Sequence, residues 1–297
     1  MSEAQVGEAQ AGEPLVGKVG IVGSGIMGSG IAECSAMNGV QVVIRSRSQS
    51  GAEATIAVIE KSLVRQVEKG KITEDVREDV LSRISATSDL ADLADCDMVI
   101  ESVVEDLAVK KHLFHELDRE CGDETLLVTN TSTLPVIELA METGRPERVC
   151  GLHFFNPAPV MSLVEVVRPI TASDETISAA KEFATSCGKT AIEVKDQAGF
   201  VVNALLFPYL NNAVRLLESG VAKREDIDLA MRGGCGFPMG PFALLDLVGL
   251  DTSLAILDAL YDEFRDPNYA AVPLLRRMVA AEQLGKKSGR GFYDYRH

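Results

Sequence analysis

The sequence predicts an α/β protein: a doubly wound, mostly parallel sheet followed by an all-helical C-terminal domain. Three observations carry this. From Lys18 onward, short β-branched runs alternate with amphipathic helical stretches, the pattern of βαβ units. The first strand runs straight into a G-x-G-x-x-G turn that opens a helix, which makes the sheet Rossmann-type. After Gly199 the strand pattern stops and only helical periodicity remains. A length of 297 residues suits two domains of roughly 150 residues each. We expect a dinucleotide-binding domain over 18–198 and a helical domain over 199–297.

Taken in order, residues 1–17 carry Glu3, Glu8 and Glu13 among Ala, Gly and Gln and are expected to form a disordered tail. They lack the basic and apolar regions of a signal peptide and the Arg-rich face of a transit peptide. Strands are predicted at Val19–Val22, Val40–Ile44, Met98–Glu101, Leu126–Thr129, Val149–His153, Val164–Val167 and Ala191–Val194. Between them, helical spacing marks Ile26–Met37, Ala52–Glu68, Leu107–Glu120 and Glu175–Cys187. The second domain reads as helices at Phe200–Glu218, Arg224–Met231, Pro241–Leu247, Thr252–Phe264 and Pro273–Gln283. Pro241 in a first turn and Gly220 beyond a last one act as end signals.

Composition narrows the partners. Forty-four acidic against 29 basic side chains leave a formal charge of -15, which argues against binding to nucleic acid or to an anionic membrane surface. A polyanionic small ligand needs only a local basic patch and stays possible. The chain has no Trp, so a stacking platform for bases or sugars is not expected. The six cysteines are scattered singly without a C-x-x-C, which suggests reduced, buried thiols, no disulfide frame and no metal site. No 18-residue apolar run occurs; the best candidate, 200–217, is interrupted by Asn203, Pro208, Asn211 and Asn212. A cytoplasmic protein is expected.

The glycine turn comprises Gly23, Ser24, Gly25, Ile26, Met27 and Gly28. Its first glycine permits the tight turn, its second lets a pyrophosphate approach the backbone, and its third lets helix and strand pack closely. An NAD site expects Asp or Glu about 20 residues further on, at the end of the second strand. That end reads Arg45, Ser46, Arg47, Ser48, with no carboxylate. Guanidinium groups and hydroxyls suit a 2′-phosphate, so NADP is expected in preference to NAD. The alternative is a solvated basic turn with relaxed preference.

Of four histidines, His112 and His115 lie on a charged helix and His297 ends the chain. His153 ends an apolar strand and enters HFFNPAPVM. Periodicity alone allows it to be a core residue or a functional one. Glu165, in the apolar run Leu163–Val167, tips the balance, because a carboxylate there is costly unless paired. Paired to the imidazole, it would fix the tautomer and stabilise the charged ring. No G-x-S-x-G elbow accompanies the pair, so a hydrolase is disfavoured. Asn130, Thr131, Ser132 and Thr133 follow a strand at the carboxyl edge of the sheet, where ligands bind, or form a turn with a helix cap. Asn203 intrudes into an apolar helix, with a buried interhelical hydrogen bond as its plainer reading.

The motifs VGIVGSGIMGSGIA, VIESVVED, TNTSTLPV, GLHFFNPAPVMSLVEVV, GFVVNALL, FPMGPFALLDLVGLD and GKKSGRGFYDY together resemble the L-3-hydroxyacyl-CoA dehydrogenase family, in its bacterial 3-hydroxybutyryl-CoA branch, from Lys18 to Tyr295. The resemblance implies that His153 is the general base, Glu165 its orienting partner, and Ser132 and Asn203 donors to the substrate oxygen. It further implies that Glu105, Lys110, Ser132, Asn156 and Lys287 approach the cofactor. Ser62 and Lys69, with Ser132 and Asn156, would meet the acyl-CoA, and the chain would form a homodimer through its C-terminal helices. Lys61, Arg65 and Lys69 recur at i, i+4, i+8, which suits the CoA phosphates or an ordinary solvated stripe. At Ser46 NAD-using members usually carry Asp, so this chain departs from the family there. Two other readings stand beside it: a free hydroxyacid dehydrogenase of the gulonate type, and a non-catalytic nucleotide-binding protein such as the lens crystallin relative of this fold.

Overall fold

The computed structural model describes residues 16–296 and divides into two compact units. The first comprises the chain to Thr131 and Pro135–Asp196; the second comprises Ser132–Leu134 and Gln197 onward.

The first unit is built on one eight-stranded sheet. Its strands are β1 (Lys18–Val22), β2 (Gln41–Arg45), β3 (Ile84–Thr87), β4 (Met98–Glu101), β5 (Leu126–Thr129), β6 (Val149–Phe154), β7 (Leu163–Arg168) and β8 (Thr190–Lys195). They lie in the order β3-β2-β1-β4-β5-β6-β7-β8, and every pair is parallel except the antiparallel β6–β7. The expected fold class is confirmed. Strands β4, β5 and β6 are buried at every residue, so they read as unbroken apolar runs without the alternation of a half-exposed sheet. Helices α1 (Ile26–Met37), α2 (Gln49–Glu68), α3 (Glu74–Ser82), α4 (Leu107–Glu120), α5 (Val136–Ala140) and α6 (Asp174–Ser186) connect them.

Sequence reasoning missed β3 and α3. The strand is four residues long with Ser85 exposed, and α3 buries only Val80, so neither shows a clear period. Val16, inside the stretch read as tail, is buried at 6% exposure, and the Gly17 amide donates to Asp97 Oδ2 at 2.8 Å. The rest of that tail, 1–15, lies outside the described residues, as does His297.

The second unit holds α7 (Val202–Glu218), α8 (Arg224–Cys235), α9 (Pro241–Val248), α10 (Leu250–Phe264) and α11 (Pro273–Ala280). Phe207, Leu210, Phe242, Leu257, Leu275 and Phe292 are central to its core. Helix α11 stops at Ala280, short of the expected Gln283, because Glu282 takes a left-handed conformation at φ 57°. Two buried carboxylates tie the closing segment down. Asp246 accepts the amides of Phe292 and Tyr293, both at 2.8 Å, and Asp228 accepts the Tyr293 hydroxyl at 2.9 Å. A Cβ at Gly285 or Gly291 would strike Asp246, so only glycine fits these two positions.

Candidate active site

The β1–α1 turn has the shape a dinucleotide needs. Gly23 sits at φ 132°, and a Cβ there would lie 2.2 Å from the Ser102 carbonyl oxygen. A Cβ on Gly28 would lie 2.1 Å from the Gly23 carbonyl oxygen, so β1 and α1 can meet only through glycine. At Gly25 the space is open, which leaves room for a phosphate against the backbone. No side chain caps the first turn of α1, and no acidic residue stands in it, so its amides face that space unopposed. The turn therefore has room for a dinucleotide, and Gly23–Gly28 are the residues that would hold its phosphates.

At the end of β2, Ser46 Oγ donates to Ser24 Oγ at 3.1 Å, joining the second strand to the phosphate turn. Arg45 Nε is buried without a hydrogen-bond partner among the described residues, and Arg47 is exposed. Ser48 accepts the Gly51 amide at 3.2 Å and serves as the N-cap of α2.

His153 and Glu165 are brought together by strand register. The antiparallel β6–β7 pairing sets the two residues directly opposite each other, and His153 Nδ1 meets Glu165 Oε2 at 2.7 Å with both side chains buried. An imidazole held this way exchanges its mobile proton through Nε2. The pair stands toward the carboxyl ends of the neighbouring parallel strands β4 and β5, the edge where open α/β sheets bind ligands.

Sequence reasoning named Glu105 and Lys110 but missed the buried charge cluster they form with Glu101. Glu101, fully buried at the end of β4, receives Lys110 Nζ at 2.6 and 2.8 Å, Thr129 Oγ1 at 2.7 Å and the Val103 amide at 2.6 Å. Lys110, at 1% exposure, also reaches Glu105 at 3.4 Å, and Glu105 accepts Thr131 Oγ1 at 2.6 Å. Lys110 is thus enclosed between Glu101 and Glu105. The signal was available: a carboxylate in the apolar strand Met98–Glu101 is the same clue that singled out Glu165.

The remaining predicted residues fall as follows. Ser132, Asn203 and Lys287 belong to the second unit, where Asn203 is buried on α7 and Lys287 Nζ donates to Asp251 Oδ2 at 2.6 Å. Asn156 is exposed and precedes Pro157 across a cis peptide bond. Ser62 faces α1, donating to Glu33 Oε1 at 3.1 Å, while Lys61, Arg65 and Lys69 are exposed along α2. Burial pushes the Glu33 carboxyl above the usual range, although Ser62 and Gln66 donate to it. A recess of about 1000 Å³ opens at the amino ends of the strands, and its rim of Asp95, Asp97, Asp123, Glu124 and Glu147 is poorly suited to a phosphate.

Residues 18–197 match the 3-hydroxyacyl-CoA dehydrogenase, NAD binding domain, and residues 199–295 match the 3-hydroxyacyl-CoA dehydrogenase, C-terminal domain. The chain is 50% identical over 267 residues to a 3-hydroxybutyryl-CoA dehydrogenase of Mycobacterium tuberculosis, covering 89% of this chain and 93% of that one. It is 46% identical over 265 residues to a 3-hydroxybutyryl-CoA dehydrogenase of Clostridioides difficile, covering 89% and 94%. The crystal structure of (S)-3-hydroxybutyryl-CoA dehydrogenase PaaH1 from Ralstonia eutropha superposes with a TM-score of 0.93 at 42% identity, over 95% of this chain and all of that one.

Proposed function

The chain belongs to the 3-hydroxyacyl-CoA dehydrogenase family, and on that footing we propose that it interconverts (S)-3-hydroxyacyl-CoA, with 3-hydroxybutyryl-CoA as the expected substrate, and 3-oxoacyl-CoA. The observation that carries the reading is the 2.7 Å His153–Glu165 pair in a sheet whose first turn is built for a dinucleotide. When bound, the dinucleotide supplies or accepts the hydride at C3. His153 takes the 3-hydroxyl proton at Nε2 during oxidation and returns it during reduction. Glu165 holds Nδ1 and stabilises the charged ring. Ser132 and Asn203 are assigned as donors to the substrate oxygen, and Ser62, Lys69 and Asn156 as contacts for the CoA part.

NADP is our assignment for the cofactor in preference to NAD. Its support is the missing carboxylate after β2, the unpartnered Arg45 Nε and the exposed Arg47 guanidinium beside Ser46. Leu205, at 72% exposure on α7, and the neighbouring Leu206 and Tyr209 suit a homodimer formed through the helical unit. No described helix is long and apolar enough to cross a membrane, and we place the protein in the cytoplasm.

The test is a spectrophotometric assay with acetoacetyl-CoA, comparing NADPH with NADH, with His153→Ala as control. Turnover that vanishes in the variant supports the reading. A clear NADH preference overturns the cofactor assignment alone, and turnover of a free hydroxyacid in place of the thioester overturns the substrate. Ser46→Asp should then favour NADH, since a carboxylate repels a 2′-phosphate and accepts a ribose hydroxyl.

A further inference from the structure

We propose that Asn130 is a positioning residue for His153; the proposal rests on His153 being the proton carrier. Parallel strand β5 ends at Thr129, whose register partner on β6 is Gly151. Strand β6 continues to Phe154, and among the described residues no strand on that side receives its last amide. Asn130 supplies the missing acceptor: its Oδ1 takes the Phe154 amide at 2.9 Å, in a buried setting. A backbone amide can only donate, so the orientation of the Asn130 side chain follows from this bond. The other end of the same amide, Nδ2, points to Ser102 Oγ at 3.4 Å, and the Asn130 backbone amide donates to the Glu101 carbonyl at 2.8 Å.

The consequence concerns the peptide next to the imidazole. Phe154 follows His153 directly, so a rotation of the 153–154 peptide swings the ring and redirects Nε2. Glu165 on β7 fixes the ring through Nδ1, whereas Asn130 fixes the backbone from the opposite side of β6. The ring is held from two strands, and loss of either hold misaligns a proton transfer that tolerates little displacement. Asn130 touches no reacting atom in this scheme and acts only through His153.

The experiment uses the full chain with acetoacetyl-CoA and compares Asn130→Ala, Asn130→Leu and Asn130→Asp. Alanine and leucine both remove the acceptor but differ in size, whereas aspartate keeps an acceptor oxygen for the Phe154 amide. We expect the first two to lower kcat about 10- to 100-fold, with KM for the dinucleotide changed less than about twofold. Asn130→Asp should regain most of the loss. Unchanged kcat in the deletions, equal impairment in all three variants, or a loss confined to dinucleotide KM would each overturn the proposal. So would a failure of both deletions to give folded protein that binds dinucleotide, since the residue would then be structural. His153→Ala separates the two levels. Inactive His153→Ala with fully active Asn130→Ala removes only the positioning role; active His153→Ala removes both readings.

Discussion

Two buried carboxylates in the same sheet each face a nitrogen side chain, and the proposed reaction gives them different work. Glu165 faces an imidazole across β6–β7, and Glu101 faces an ammonium brought in by α4. Burial does not separate them, because both carboxylates are fully enclosed. What separates them is the chemistry of the partner. Imidazole is the side chain suited to carrying a proton between two nitrogens, whereas the ammonium is held between two carboxylates, Glu101 and Glu105. Glu33 makes a third case: a buried carboxylate whose donors, Ser62 and Gln66, are both neutral. A buried carboxylate therefore does not by itself mark a reaction site; the chemistry of its partner has to be considered.

The sharpest way to break this comparison is to remove the two cations in turn. His153→Ala should lower kcat by about 10²- to 10⁴-fold in protein that still folds and binds dinucleotide; intact specific activity in that protein would reverse the assignment. Lys110→Met leaves Glu101 buried without its counter-ion and should cost about 3–5 kcal/mol of stability, read by denaturant unfolding. If it unfolds like the parent and loses only turnover, the cluster belongs to the chemistry. Glu165→Gln keeps the shape and removes the charge, and a loss of at least ~10-fold in kcat is expected, smaller than for His153 itself. The smallest effect belongs to Glu33→Gln. Burial raises this carboxyl above its ordinary value, so its favourable contribution is complete below the unfolded-state pKa and disappears as pH rises through the folded-state pKa. The variant should gain melting temperature relative to the parent at pH 7.5 and lose that advantage toward pH 4; a constant difference across that range would contradict the shift.

Much of this was legible in advance, for reasons that differ between elements. The ends of Met98–Glu101 and Leu126–Thr129 could be read because strands buried on both faces leave unbroken apolar runs bounded by polar turns. The His153–Glu165 pair could be anticipated because a carboxylate in such a run demands a partner. Helix α3 could not: eight of its nine residues avoid full burial, and tertiary packing, with Arg77 bridging Glu60 and Glu74, supplies what propensity does not. The role of Asn130 was hidden for another reason. The bond from the Phe154 amide joins residues 24 apart, and it matters only because β5 is shorter than β6. No local pattern records a difference in strand length.

The single antiparallel pair in the sheet also bears on how the site assembles. Most parallel neighbours here are joined by crossovers through a helix, but β6 reverses into β7 within a short loop, and His153 and Glu165 stand only twelve residues apart. Closing a loop of that length costs little chain entropy, and contacts of such low sequence separation form early and quickly. The His153–Glu165 pair is thus a nearly local structure, able to form before the long-range pairing of β1 with β4 closes the sheet around it.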